Sequence, residues 1–247
     1  MNSSPPQIPV QPFPLEYGLP NLVRAIRGTE AVRIVALGSS TMEGEGGIVA
    51  FPYRLEAALR LEYWYRHGQK NKRMIDMINR GIGGEEAPSE FDRLGIDVIA
   101  EKPHLVIWQL GTNSVWQSPE TKPPPPSQDE TIAAVRNGID RLHEAGKIDI
   151  ILMDLQYVPA VLTPATCKAT NDMVSAIAEV ASEKKVNLFR RFELMKAWHK
   201  LEGISFDTMV DPTDPNRLHD SDWATRRLAN DLSKVIFDAV YKIPAAS

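Results

Sequence analysis

Short apolar runs and longer stretches of helical periodicity alternate along the whole chain. VRIVALG (32–38) is a β-branched run closed by glycine, the pattern of a buried strand. Residues 52–66, PYRLEAALRLEYWYR, carry an apolar stripe at helical spacing. MIDMIN (74–79) predicts a second strand and 88–100 a second helix. HLVIWQLG (104–111) is the clearest buried strand, and 129–145 predicts a helix with Gly146 beyond its end. DIILMDL (149–155) predicts a fourth strand, 164–184 a long helix, VNLFR (186–190) a weak fifth strand, and 222–241 a closing helix. Strands that alternate with helical stretches in this way argue for βαβ units and a parallel sheet covered on both faces. The expected class is α/β: a flavodoxin-like three-layer α/β/α sandwich with a central parallel sheet of about five strands, in the order 2-1-3-4-5.

Composition narrows the function classes. The chain has 247 residues, 43% of them hydrophobic and 24% charged, which fits a globular protein and neither a disordered nor a fibrous one. Residues 1–20 are rich in proline and polar residues and predict an extended N-terminal arm; 21–247 then form one domain. Pro123–Pro126 predicts a rigid piece of loop. The arm shows no signal-peptide pattern. The compartment stays open: cytoplasmic if Met1 is the native start, periplasmic or secreted if a signal has been removed. A net charge of −4 does not suggest a nucleic-acid footprint. No apolar run approaches the ~18 residues of a membrane span. Cys167 is the only cysteine, which excludes an intrachain disulfide and a multi-cysteine zinc site. The Asp-rich 207–222 segment does not match calcium-loop spacing, so no metal and no cofactor is expected. Oligomeric state is left open.

In an open parallel sheet, ligands bind beyond the carboxyl ends of the strands near the point where strand order reverses. In the order 2-1-3, three loops converge there: GSSTMEGEGG (38–47), NRGIGGEE (79–86) and GTNSVW (111–116). Ser39 and Ser40 offer hydroxyls on a glycine turn, Gly83 and Gly84 allow close backbone approach, and Asn113 offers an amide donor. A serine nucleophile needs a base. Of the five histidines, His67 falls in a polar turn, His104 opens the third strand at the far end, His143 lies late in a helix, and His199 sits in a Lys-rich surface stretch. His219, in DPTDPNRLHDSDW before the last helix, returns to the strand ends.

These four segments, in this order, resemble the SGNH (GDSL-type) hydrolase family, and the resemblance spans residues 38 to 219. It implies Ser40 as nucleophile, His219 as general base and acid, and Gly84, Asn113 and the Ser40 N–H as oxyanion donors. The family places acids before the nucleophile, after the asparagine, and three residues before the histidine. Here those positions hold Ser39, Ser114 and Asn216. A carboxylate normally orients the imidazole and stabilises the imidazolium. Asn216 is therefore the expected orienter, with Asp214 the best rival, Asp211 also in reach, and a backbone carbonyl the third option. Trp116 and Tyr157 follow strands and are candidates to line the crevice, although packing roles compete. The turn from Glu43 to Glu45, with Glu85 and Glu86, would disfavour anionic substrates.

By family analogy the partner is a small-molecule or glycan ester, acetyl esters included, hydrolysed through an acyl-enzyme. The alternatives are an acyltransferase that uses the same residues, a catalytically impaired binding or scaffold protein suggested by the three absent acids, and a nucleotide-binding flavodoxin-like domain, for which no phosphate-loop motif follows a strand.

Overall fold

The structure, a computed structural model, describes residues 10–44, 46–68, 73–117 and 122–242. Five strands, β1 (Val32–Gly38), β2 (Ile75–Gly81), β3 (Leu105–Gln109), β4 (Asp149–Met153) and β5 (Asn187–Phe189), form one parallel sheet in the order β2-β1-β3-β4-β5. The described helices are α1 (Pro20–Arg27), α2 (Ser40–Glu43), α3 (Phe51–His67), α4 (Ala87–Asp97), α5 (Thr112–Trp116), α6 (Gln128–Ala145), α7 (Cys167–Lys184), α8 (Arg191–Leu201), α9 (Phe206–Met209) and α10 (Asp222–Lys242). Helices α3 and α10 pack together on one face of the sheet, with α1 beside them; α4, α6 and α7 cover the other. This is the expected three-layer α/β/α sandwich.

The layers explain the continuous apolar runs. With helices on both faces, every residue of β3 and β4 is buried, so neither strand alternates. Trp108 on β3 is fully enclosed, and its indole N–H donates to Glu90 Oε2 at 2.6 Å. The ring fits because α6 carries glycine at 138: a Cβ there would stand 2.4 Å from Trp108 Cη2.

Five of the described helices were not foreseen: the short α2, α5 and α9, and the longer α1 and α8, which share one reason. The amino end of α1 is held by Asp149 on β4, whose carboxylate accepts the N–H groups of Asn21 at 3.0 Å and Leu22 at 2.8 Å and the Asn21 amide at 2.9 Å. At the start of α8, the Phe192 N–H donates to Asp154 Oδ1 at 2.9 Å. Eight residues are too few for a stable isolated helix. The carboxylate that fixes α1 lies 128 positions away in sequence, beyond any local signal. Elsewhere the boundaries shift by a few residues. β3 stops at Gln109 because Gly111, at φ +88°, turns the chain into α5. Helix α7 starts at Cys167, after a 3-10 turn at Pro159–Val161.

Gly138→Ala should destabilise the protein by about 1–3 kcal/mol through overpacking, against the ~1 kcal/mol that helix propensity alone would return. Urea unfolding at fixed pH reads the sign; a stabilised variant would contradict the tight contact with Trp108.

Candidate active site

At the end of β1 the chain leaves the sheet through Gly38 and enters α2 at Ser40. Both the N–H and the hydroxyl of Ser39 donate to Gln109 Oε1 on β3, at 3.1 and 3.0 Å. A Cβ at Gly38 would fall 2.9 Å from that same oxygen, so glycine is what lets the two strand ends approach. Ser40 Oγ then lies 3.1 Å from His219 Nε2. The histidine comes from a loop closed at its base by an antiparallel bridge between Val210 and Asp220 and by the Asp211 N–H to the His219 carbonyl, 2.9 Å. Two residues 179 positions apart are thereby brought into direct contact.

The third member of the line is Asp214. Its Oδ2 sits 2.9 Å from His219 Nδ1 and also accepts the N–H groups of Leu218 and His219, each at 2.8 Å. Its Oδ1 accepts the Asn216 N–H at 2.8 Å. Burial pulls the Asp214 carboxyl upward, but the His219, Leu218 and Asn216 backbone donors and the imidazole outweigh it and hold the group below its ordinary value. An ionised carboxylate only accepts, so Nδ1 carries the proton and Nε2 of the neutral ring is left to accept from Ser40 Oγ.

This corrects the expectation for Asn216. Asn216 is exposed, and it is its backbone N–H that donates to Asp214. The carboxylate stands five residues before His219, not three. The extra length is taken up by a turn in which the Arg217 N–H reaches the Asp214 carbonyl at 3.1 Å with Arg217 at φ +55°. Asp211 instead caps its own turn: its Oδ1 accepts the N–H and the hydroxyl of Thr213, both at 2.8 Å.

The two expected oxyanion loops meet across the crevice. Gly84 has φ +81°, a conformation that suits glycine, and its carbonyl accepts the Gln117 amide at 3.3 Å. Asn113 is buried and donates one amide hydrogen to the Glu85 carbonyl at 3.0 Å, which fixes the side chain; among the described residues its second amide hydrogen has no acceptor. Glu43, three residues after Ser40, accepts the Gly83 N–H at 2.6 Å and so ties α2 to this loop. The anion-repelling turn is not as expected: Glu43 is engaged by the backbone, Glu85 pairs with Arg93 at 2.8 Å, Glu86 is buried, and Glu45 lies outside the described residues.

Glu86 is the residue the sequence most concealed. Its Oε1 accepts the N–H groups of Asn113 at 2.6 Å and Ser114 at 3.2 Å, and its Oε2 that of Gly111 at 3.2 Å. One enclosed carboxylate therefore holds the start of α5, the turn that presents Asn113. Burial pushes the Glu86 carboxyl up, and the backbone donors pull it partly back. Where the family has acids, Ser39 bonds Gln109, and the Ser114 hydroxyl meets that of Thr131 at 2.8 Å.

A cavity of about 20 Å³, room for one water, opens beside Ser40, Thr41, Val49, Phe51 and His219. Neither Trp116 nor Tyr157 is among its lining residues. Trp116 ends α5 half-buried against the core. Tyr157 is packed between Phe192, edge-on at 5.2 Å, and Phe206, at 5.8 Å, which corrects its expected place in the crevice. His67 stacks on Tyr63 at 4.3 Å and bonds Tyr241, and His199 stacks on Phe206 at 4.2 Å; both are half-buried, not the solvated side chains their surroundings in sequence suggested. His104 accepts the Arg33 N–H at 3.1 Å, at the opposite end of the sheet. A roomier cavity, about 580 Å³, lies at that end among Asn21, His104 and Lys147 and contains none of the expected residues. Among the described residues no helix is long and apolar enough to cross a membrane.

A model of the non-GDSL lipase-like family matches residues 5–242. The chain belongs to that family. No curated protein matches it in sequence. Among solved structures it is similar to an acetylxylan esterase from Geobacillus stearothermophilus, with 20% identity, 85% of this chain and 94% of that one covered, and a TM-score of 0.63. It is similar also to a lipase/acylhydrolase from Enterococcus faecalis, with 18% identity, 87% and 99% covered, and a TM-score of 0.62. At these identities the likeness is one of fold.

Glu86→Leu should lower stability by about 3 kcal/mol or more, since it leaves three backbone N–H groups unpaired in the interior at ~1–3 kcal/mol each. Glu86→Gln, whose amide oxygen still accepts, should cost less. Urea unfolding of both variants is the check; an unchanged midpoint for Glu86→Leu would remove the carboxylate from this role.

Proposed function

We propose that this protein is a serine esterase that hydrolyses short acyl esters of small alcohols or carbohydrates through an acyl-enzyme. The observation that carries the proposal is the line from Ser40 Oγ through His219, 3.1 Å away, to Asp214, 2.9 Å beyond. Family membership supports it. So do the names of the structural relatives, and serine-to-alanine and aspartate-to-alanine variants of the Geobacillus enzyme are both described as catalytic mutants.

Ser40 Oγ attacks the ester carbonyl as its proton passes to His219 Nε2. The imidazolium that forms is stabilised by Asp214 through Nδ1–H. The carbonyl oxygen, now negative, is held by the N–H groups of Ser40 and Gly84 and the free amide hydrogen of Asn113. Collapse of this intermediate breaks the bond to the alcohol oxygen, which takes the proton from Nε2. Water then repeats the sequence, losing a proton to His219, and acyl release returns that proton to Ser40. The alternative of an impaired binding protein drew on the missing acids, and a carboxylate against Nδ1 counts against it.

Ser40→Ala should abolish hydrolysis of p-nitrophenyl acetate with little change in melting temperature. Asn113→Ala should lower kcat by ~10²–10³-fold. Asp214→Asn should lower it by up to ~10⁴-fold, the loss seen when the acid of a serine-protease triad is made an amide, whereas Asn216→Ala should stay near wild type. Retained activity in Ser40→Ala would end the proposal; loss in Asn216→Ala but not in Asp214→Asn would reassign the orienting residue.

A further inference from the structure

The three loops of the site are joined from below by one buried cation. Arg191, the first residue of α8, is fully enclosed. Its Nε donates to the Asp154 carbonyl at 2.9 Å and one terminal nitrogen to Gln156 Oε1 at 2.8 Å. The other terminal nitrogen reaches Thr41 Oγ1 at 3.4 Å and lies 3.7 Å from Asp220 Oδ2. Thr41 follows the nucleophile and Asp220 follows the base. Gln156 extends the reach: its oxygen also accepts the Thr112 hydroxyl at 2.9 Å, next to Asn113, and its amide donates to the Leu218 carbonyl at 3.1 Å, next to His219.

Burying a guanidinium costs several kcal/mol unless its donors are satisfied, and a well-packed apolar side chain often does as well for stability alone. Two enclosed acids face this cation. Burial pushes the Asp154 carboxyl up to about 7 and Asp220 to about 6, and Arg191 opposes both. Asp220 Oδ1 has no hydrogen-bond partner among the described residues, while its Oδ2 faces Arg191 at 3.7 Å. The planar fork is what reaches several segments at once; a point charge on a flexible stem does not.

We infer that Arg191 is a positioning residue for the reaction, one that holds the Ser40 helix, the Asn113 turn and the His219 loop in a single register through Thr41, Gln156 and Asp220. The inference rests on the esterase reading for its kinetic consequence and on geometry alone for its structural one. A misplacement of about 1 Å at reacting groups can cost ~10²-fold in rate.

The test uses the full chain. In Arg191→Met, kcat for p-nitrophenyl acetate should fall by ~10²-fold with KM little changed. Arg191→Lys should not restore it, because one ammonium cannot span the acceptors. Hydrogen exchange should speed up together in peptides covering 39–44, 110–117 and 211–221, while the β1 and β3 interiors keep their protection. A folded Arg191→Met variant with wild-type kcat, or with exchange unchanged in those loops, overturns the inference; a lowered melting temperature with intact kcat makes Arg191 a stability residue only. If Arg191→Met fails to fold, Thr41→Val and Gln156→Met cut the same network at two points. Each should lower kcat, the double variant by less than the product of the two; strictly multiplicative losses, or none, overturn it. A wild-type protein without turnover defeats the esterase reading instead, and loop exchange in the same variants then decides the register claim.

Discussion

The Asp214 carboxylate accepts four donors within a single short loop, and the site depends on what that does to one imidazole. Three of the donors are backbone N–H groups of the loop itself, so the carboxylate shapes the segment that presents His219 before it meets the ring. The same bonds keep the group ionised against the pull of burial. An ionised acceptor on Nδ1 leaves only one tautomer of the neutral ring able to accept from Ser40. Loop shape, charge state and tautomer thus follow from one side chain.

The rest of the architecture serves to bring three strand ends and this loop together. Parallel strands place all their carboxyl ends on one edge, and the 2-1-3 order puts three loops side by side there. Polar contacts then fix how the loops meet: Gln109 on Ser39, Glu43 on Gly83, Glu86 on the start of α5, and Gln156 between Thr112 and Leu218. Most of these groups are buried, where a satisfied polar bond is strong and an unsatisfied one is costly. The loops at this edge of the sheet are therefore cross-linked by hydrogen bonds where the proposed chemistry would occur.

The strand order was legible because its signals are local: β-branched runs, glycine turns and helical stripes between them. That order pointed to the loops of Ser40, Gly84 and Asn113, the family resemblance chose Ser40 and Gly84 from their neighbours, and the structure sets Ser40 Oγ 3.1 Å from His219. Asp214 was only half legible. The family's spacing pointed to position 216, and a turn with Arg217 in the left-handed region moves the acid two residues earlier. Glu86 was hidden for a different reason. A pair of glutamates in a loop suggests solvent, and only the fold shows that the second is enclosed by the turn before α5. The helices α1 and α8 were missed because the carboxylates at their amino ends, Asp149 on β4 and Asp154 just after it, lie far away in sequence. Tyr157 was misplaced because following a strand does not say which way a ring points; Phe192 and Phe206 take it into an aromatic cluster.

The most direct test of the central claim is covalent. A fluorophosphonate probe reacts with a serine only where a neighbouring base removes its proton. Peptide mapping by mass spectrometry after labelling should find one adduct per chain, on Ser40, absent from neighbouring Ser39. An unlabelled chain, or an adduct on Ser39 or elsewhere, would contradict an activated hydroxyl at the end of the Asp214–His219 line.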